Sequence, residues 1–252
     1  MKISICGKGG SGKSTISVLI ARGLKKEGYD VLLVDADESN LGLHRLAGVP
    51  LPKNLMDHLG GKKGFKEKMA ASKSLPSQGI FDERWSVESI PEQYIARADG
   101  IGLLLIGKIH DFGEGCACPM GVLSRTFLSN IDVAENETVI IDTEAGIEHF
   151  GRGIEGLCDV IIGVIDPTFE SFMMAEKISA MGEKAGKAVF FVLNKVDEQI
   201  EAMMAEHTDR EKVIARIPQD HGIFMKSLEG EALTEELSEI DRVCGFLRDL
   251  EI

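Results

Sequence analysis

The sequence predicts a doubly wound α/β fold, a single and mostly parallel sheet with helices on both faces, and three observations carry that expectation. The apolar stretch Ile3-Ser4-Ile5-Cys6 runs straight into the glycine-rich segment Gly7-Lys8-Gly9-Gly10-Ser11-Gly12-Lys13-Ser14-Thr15, then into a helical pattern of apolar residues at Ile16, Leu19, Ile20 and Leu24. Short apolar runs alternate with helical patterns along the chain, the order produced when crossover helices wind a sheet. Several runs, such as Leu103-Leu104-Leu105-Ile106 and Val139-Ile140-Ile141, are apolar without alternation, as parallel strands covered on both faces require. At 252 residues and 44% apolar content the chain can bury a full core, and one domain over 1–252 is expected.

The first element sets the chemistry. Glycines let the backbone wrap phosphate oxygens with its N–H groups turned inward, and the helix that follows adds its positive end. The pattern Gly-x4-Gly-Lys-Ser therefore reads as the phosphate-binding loop of a P-loop NTPase. Gly9, Gly10, Ser11, Gly12, Lys13, Ser14 and Thr15 form the cradle, Lys13 reaches the β- and γ-phosphates, and the Ser14 hydroxyl takes a place on Mg²⁺. Lys8 is an additional cation close to Lys13. Either both lysines serve one polyanion, or Lys8 points out of its own loop toward the phosphates of a second molecule.

The other strands follow at 31–34, 102–106, 138–141, 160–165, 188–193 and 213–217, after a first at 2–6, with helices at 169–184 and 197–206 among the crossovers. Residues 53–98 lack a clean period and are expected to form an irregular insertion packed on the sheet edge. The lysines of that stretch (Lys53, Lys62, Lys63, Lys66, Lys68 and Lys73) read best as a solvated helix face.

Carboxylates arrive at the strand ends, where open α/β sheets bind ligands. The run Val31-Leu32-Leu33-Val34 delivers Asp35 and Asp37, which alternation would turn to one side; solubilising turn aspartates are the other reading. Val139-Ile140-Ile141 delivers Asp142, a Walker B aspartate, followed by Thr143-Glu144-Ala145-Gly146. There Gly146 would let a loop containing His149 and Arg152 rearrange with the γ-phosphate, unless those two are ordinary polar loop residues.

The loop from Lys8 to Ser14 resembles the deviant Walker A ATPases, which include MinD and ParA positioning ATPases, the nitrogenase iron protein and metal-insertion ATPases. That resemblance implies a nucleotide-dependent homodimer, with Lys8 of each subunit reaching the nucleotide held by the other. It also gives Asp35 a water-mediated role on Mg²⁺ and Asp37 the orientation of the attacking water, so that Lys8, Lys13, Asp37 and Asp142 are the catalytic candidates. It implies that Asn194 contacts adenine and that Ile217-Pro218-Gln219-Asp220 closes over the base. ATP is the expected nucleotide, although Asn194-Lys195-Val196-Asp197 also has the form of a guanine-reading motif.

The segment Gly115-Cys116-Ala117-Cys118-Pro119 narrows the likeness. Cysteines at i and i+2 point apart in a straight strand, so both serve one metal only if the glycine and proline bend the backbone. Two thiolates make half of a soft-metal site, and a symmetric dimer would bring the other half. A pair of buried apolar thiols is the alternative. With this motif the chain resembles the CooC-type ATPases, nickel-insertion factors for carbon monoxide dehydrogenase. The resemblance implies an ATP-hydrolysing metallochaperone that holds Ni²⁺ through Cys116 and Cys118, although Zn²⁺ also favours such a site, with a nickel-containing carbon monoxide dehydrogenase as client.

Two other classes stand beside it. An iron–sulfur electron-transfer ATPase like the nitrogenase iron protein would place a second cysteine after the Walker B strand, and 143–153 contains none. A MinD-like protein would carry a basic amphipathic C-terminal helix for membrane attachment, whereas Glu235-Glu236-Leu237-Ser238-Glu239-Ile240-Asp241-Arg242 is acidic. A net charge of −13 argues against nucleic acid as a partner. No stretch reads as a secretory signal or a membrane span, so a cytoplasmic protein with reduced thiols is expected, and Cys6, Cys158 and Cys244 are expected to pack as core residues.

Overall fold

The computed structural model describes residues 1–71, 80–81, 84–108 and 118–250. In chain order the elements are β1 (Lys2–Gly7), α1 (Lys13–Lys26), β2 (Asp30–Asp35), α2 (Leu43–Ala47), α3 (Leu55–His58), α4 (Gly61–Ala71), β3 (Trp85–Ser86), β4 (Ile95–Ala98) and β5 (Ile101–Leu105). They continue with α5 (Cys118–Asn130), β6 (Ile131–Asp132), β7 (Glu137–Asp142), α6 (Glu148–Arg152), β8 (Val160–Ile165) and α7 (Phe169–Lys184). The last are β9 (Ala188–Val196), α8 (Glu201–Glu206), β10 (Val213–Pro218), α9 (His221–Glu229) and α10 (Ser238–Asp249).

Eight strands form one sheet in the order β10-β9-β8-β1-β7-β2-β5-β4, parallel throughout except for β4, which runs antiparallel to β5 at the edge. The sheet grows in one direction from β1 toward β2 and in the other toward β8, so the loop after β1 emerges at a reversal point of the winding, the place where such sheets open a crevice. Alternation divides the strands between the two faces. Val31 and Leu33 of β2 join Ile16, Leu19 and Ile20 of α1, while Leu32 and Val34 join Phe127 of α5 on the other side.

The stretch 53–98 is more ordered than its sequence suggests. It supplies α3, α4, β3 and β4, and it covers the second face of the sheet with Leu55, Met56, Phe65 and Trp85. In α4 Phe65 turns inward while Lys63, Lys66 and Lys68 face solvent. The helix expected over 197–206 is shorter, because the Asp197 carboxylate accepts hydrogen bonds from Gln199 N (2.8 Å) and Ile200 N (2.9 Å) and folds 197–200 into a turn. The apolar face of α10 (Ile240, Val243, Cys244 and Leu247) is buried in the core around α1, and among the described residues no helix is long and apolar enough to cross a membrane. Cys6, Cys158 and Cys244 are buried, and burial pushes all three thiols up, as packing residues require.

Candidate nucleotide site

The loop between β1 and α1 takes its shape from three glycines in the positive-φ region: Gly7 (147°), Gly10 (80°) and Gly12 (100°). A Cβ on Gly7 would sit 2.4 Å from the Val164 carbonyl oxygen, and one on Gly12 would sit 2.3 Å from Asn194 Nδ2. At Gly10 that position meets no atom within 4 Å among the described residues beyond its own chain neighbours, so the middle of the loop is open there. The helix α1 starts at Lys13 with no side-chain cap. Other helices here are capped, α7 by Thr168 and α9 by Asp220. The first-turn N–H groups of α1 are thus left for an anion.

Beneath the loop lies Asp142, buried at the end of β7. Its carboxylate accepts from Ser14 Oγ at 2.6 Å, Ser17 Oγ at 3.2 Å and Asn40 Nδ2 at 3.3 Å. Burial pushes the Asp142 carboxyl up, against the pull of these hydroxyls and of Lys13. Asn40 also donates to Ser14 Oγ at 3.0 Å, which ties the segment after β2 to the phosphate loop. Apart from the Asn40 amide nitrogen, the set around Ser14 consists of oxygens (Ser14 Oγ, Ser17 Oγ and the Asp142 carboxylate), hard ligands that suit Mg²⁺. Among the described residues no three His, Cys, Asp or Glu side chains converge on a metal, so a cation at Ser14 would be completed by phosphate oxygens rather than by a protein cage.

The two aspartates after β2 have different partners. Asp35 is buried and paired with Lys108 at 2.7 Å. Burial, helped by the nearby Asp142 charge, raises its carboxyl to about 7 against the pull of Lys108. The half-buried Asp37 carboxylate accepts from Ser39 N at 2.9 Å and Ser39 Oγ at 2.6 Å, and its charge adds to the upward push on Asp142.

Lys13 and Lys8 diverge. Lys13 Nζ stays with the loop and donates to the Lys8 carbonyl at 3.4 Å. Lys8 Nζ leaves it, donating to Thr168 Oγ1 at 3.4 Å and lying 3.6 Å from Glu170 at the start of α7. Thr168 Oγ1 donates in turn to Asp166 Oδ1 at 2.9 Å. Asp166 lies 4.0 Å from Lys195, whose Nζ donates to the Gly10 carbonyl at 2.6 Å.

Beside the loop an open cleft gathers Gly10, Gly12, Thr15, Asn194, Pro218, Gln219 and Asp220, with Ile16, Ile217 and Phe224 as apolar lining. Asn194 Nδ2 donates to the Ser11 carbonyl at 2.8 Å, and Asp220 caps α9 through Ile223 N at 2.8 Å. Asp197 does not line this cleft; it is exposed and engaged in its own turn.

On the far side of Asp142, Glu144 pairs with Arg152 at 2.5 Å. Burial and the adjacent Glu38 push the Glu144 carboxyl up to about 7. His149 is buried, its Nε2 3.2 Å from Glu155 Oε1, and Ser4 donates to that same oxygen at 3.4 Å. Desolvation lowers His149 to about 3 and raises Glu155 to about 7. Cys116 lies outside the described residues. Cys118 is the first residue of α5, and its side chain is likewise outside them.

Lys108, Asn40 and Ser17 are members of this constellation to which the motifs assign no role, whereas Arg152, expected in a loop behind Gly146, closes the short helix α6. Lys108 alone carries a local sign, a lysine two residues beyond a wholly apolar strand.

The profile of the CobQ/CobB/MinD/ParA nucleotide-binding domain matches residues 3–233. The chain is 52% identical over 247 residues to the uncharacterized ATP-binding protein MJ0084 of Methanocaldococcus jannaschii, covering 98% of this chain and 99% of that protein. It is 37% identical over 232 residues to the carbon monoxide dehydrogenase accessory protein CooC of Rhodospirillum rubrum, covering 88% and 85%. Among solved structures, the septum site-determining protein MinD of Pyrococcus horikoshii OT3, complexed with Mg-ADP, superposes with a TM-score of 0.69 at 20% identity over 98% of this chain and 96% of that one.

Proposed function

The chain belongs to the CobQ/CobB/MinD/ParA nucleotide-binding family and is a P-loop ATPase, and from that premise we propose that it is a metallochaperone which couples ATP hydrolysis to delivery of nickel. The observation that carries this reading is the pair Cys116 and Cys118, set where β5 leads into α5, in a chain 37% identical to a carbon monoxide dehydrogenase accessory protein.

Two subunits close around ATP. Lys13, Ser14 and the open backbone of the loop hold the phosphates, and Mg²⁺ at Ser14 supplies charge neutralisation when bound. Lys8, already directed out of its own loop, serves the nucleotide of the second subunit. Asn194 and the wall formed by Pro218, Gln219 and Asp220 receive the adenine, while Asp37 orients the attacking water and Asp35 and Asp142 order the polar groups around it. Closure brings two Cys116/Cys118 pairs to one Ni²⁺, the cargo, and four thiolates complete a site that one subunit supplies only in half. Hydrolysis reopens the dimer and loosens that site, and a nickel-containing carbon monoxide dehydrogenase receives the metal.

The test is a titration of Ni²⁺ into the apo protein with and without ATP and Mg²⁺, reading bound metal and molecular mass together. One tight nickel per dimer, lost in Cys116→Ala/Cys118→Ala while nucleotide affinity persists, is the expected result. Full nickel stoichiometry in that double variant removes the reading.

A further inference from the structure

Arg152 spans the gap between the nucleotide site and α5. Its guanidinium Nη1 lies 2.5 Å from Glu144 Oε1, two residues beyond Asp142. Its aliphatic stem crosses Gly121, one turn into α5. A Cβ on Gly121 would sit 2.3 Å from Arg152 Cδ and 3.3 Å from Cγ. Gly121 has an ordinary helical backbone, so the glycine provides room for the arginine rather than conformational freedom. The contact is therefore stem against helix backbone, with no intervening side chain to absorb a displacement.

A second anchor lies at the other end of the same connection. Lys108, the last described residue before α5, donates to Asp35 Oδ2 at 2.7 Å and to the Asp37 carbonyl at 2.6 Å. Lys108 is thus held by the carboxylate segment after β2, and the first turn of α5 is met by Arg152 from the segment after β7. Both segments also contact the phosphate loop, through Asn40 on Ser14 and through Gly146 N on the Gly7 carbonyl at 3.2 Å.

We propose that Arg152 is a positioning residue that transmits the nucleotide state to α5: a shift of Glu144 when the γ-phosphate arrives or leaves moves Arg152 across Gly121 and displaces the helix that Cys118 begins. Its use in metal release rests on the nickel-delivery reading; the link itself rests on Glu144, Arg152 and Gly121. Because coupling between two sites is reciprocal, a metal that fixed the start of α5 would alter nucleotide affinity by the same factor.

Hydrogen exchange of the α5 amides, with and without a non-hydrolysable ATP analogue and Mg²⁺, tests the link without any metal. The wild-type protein should show a several-fold change in exchange over 120–125 on binding nucleotide. Arg152→Ala should bind the analogue yet lose that change, and Arg152→Lys should restore part of it. Gly121→Ala, which forces the intact arginine off its seat, should lose the response as well and serves if Arg152→Ala fails to fold. A wild-type α5 indifferent to nucleotide, or an undiminished response in both Arg152→Ala and Gly121→Ala, overturns the proposal. Nickel binding by the wild-type protein is measured separately: its absence defeats the delivery reading and leaves the exchange result to decide the link.

Discussion

Lys108 Nζ and Asp35 Oδ2 form an ion pair at 2.7 Å in which the lysine side chain is 7% and the aspartate 1% exposed. The same ammonium donates to the Asp37 carbonyl at 2.6 Å, so one cation fixes both the buried carboxylate and the turn that follows β2. A buried pair contributes little net stability over a hydrophobic replacement, yet breaking it strands a charge.

Lys108→Met should therefore cost about 3–5 kcal/mol in urea unfolding, while the paired change Lys108→Met/Asp35→Leu should recover most of that loss. The double variant should still lose ATP turnover, because Asp37 is released together with the ammonium. If the single and double variants are equally destabilised, the pairing is not what Lys108 contributes.

Glu155 sets a pH dependence. Its carboxyl is raised to about 7 from 4.5, so between those values the folded state holds a proton that the unfolded state has lost, and stability falls as pH rises through that window. His149, lowered to about 3 from 6.5, works the other way: its share of stability grows with pH up to about 6.5 and then stays constant. Ser4, Lys13, Arg152 and the buried thiols of Cys6 and Cys158 complete the surroundings. Glu155→Gln removes the carboxyl contribution, which is on the order of 3 kcal/mol above pH 7. The variant should match the wild-type Tm at pH 5 and exceed it by several degrees at pH 8. An equal difference at both pH values would assign the effect to packing instead of ionisation.

Two glycines separate backbone strain from site geometry. Gly12 (φ 100°) and Gly186 (φ 65°) both occupy the region that L-residues avoid, but only at Gly12 would a Cβ meet a neighbour, Asn194 Nδ2 at 2.3 Å. Each glycine-to-alanine variant should lose about 1–2 kcal/mol of stability through the backbone. Gly12→Ala should in addition lose nucleotide binding by more than about tenfold, since Asn194 would be pushed off the Ser11 carbonyl. Calorimetric titration of both variants checks this, and Gly186→Ala should bind as the wild type does.

What the sequence disclosed follows from how locally each feature is specified. The phosphate loop, Asp142 and seven strands are written in contiguous residues, and the structure has strands at all seven places. The strands β3 and β6 have two residues each, and β4 reads Ile95-Ala96-Arg97-Ala98; none contains an apolar run, and their pairing depends on distant partners. The site divides in the same way. Asp35 and Asn194 stand at strand ends where a pattern locates them, whereas the bond from Lys108 to Asp35 joins residues 73 apart, and the seating of Arg152 on Gly121 depends on how α5 and α6 pack. Asp197 shows the converse, a motif residue that the turn takes for itself.

The direction of Lys8 yields the sharpest functional expectation. Its ammonium is held by Thr168 and Glu170, away from the interior of its own loop, while Lys13 remains within it. Lys13→Ala should therefore weaken nucleotide binding directly. Lys8→Ala should leave affinity for ATP within about tenfold of wild type and yet lower turnover by about 10²–10³, the usual cost of removing one preorganised donor to a developing negative charge. It should also abolish any ATP-dependent increase in molecular mass, because the lysine acts only when a second subunit presents its phosphates. Turnover and light scattering on the same preparations distinguish the cases. If Lys8→Ala binds ATP as poorly as Lys13→Ala, Lys8 serves its own nucleotide and the outward arrangement has no part in catalysis.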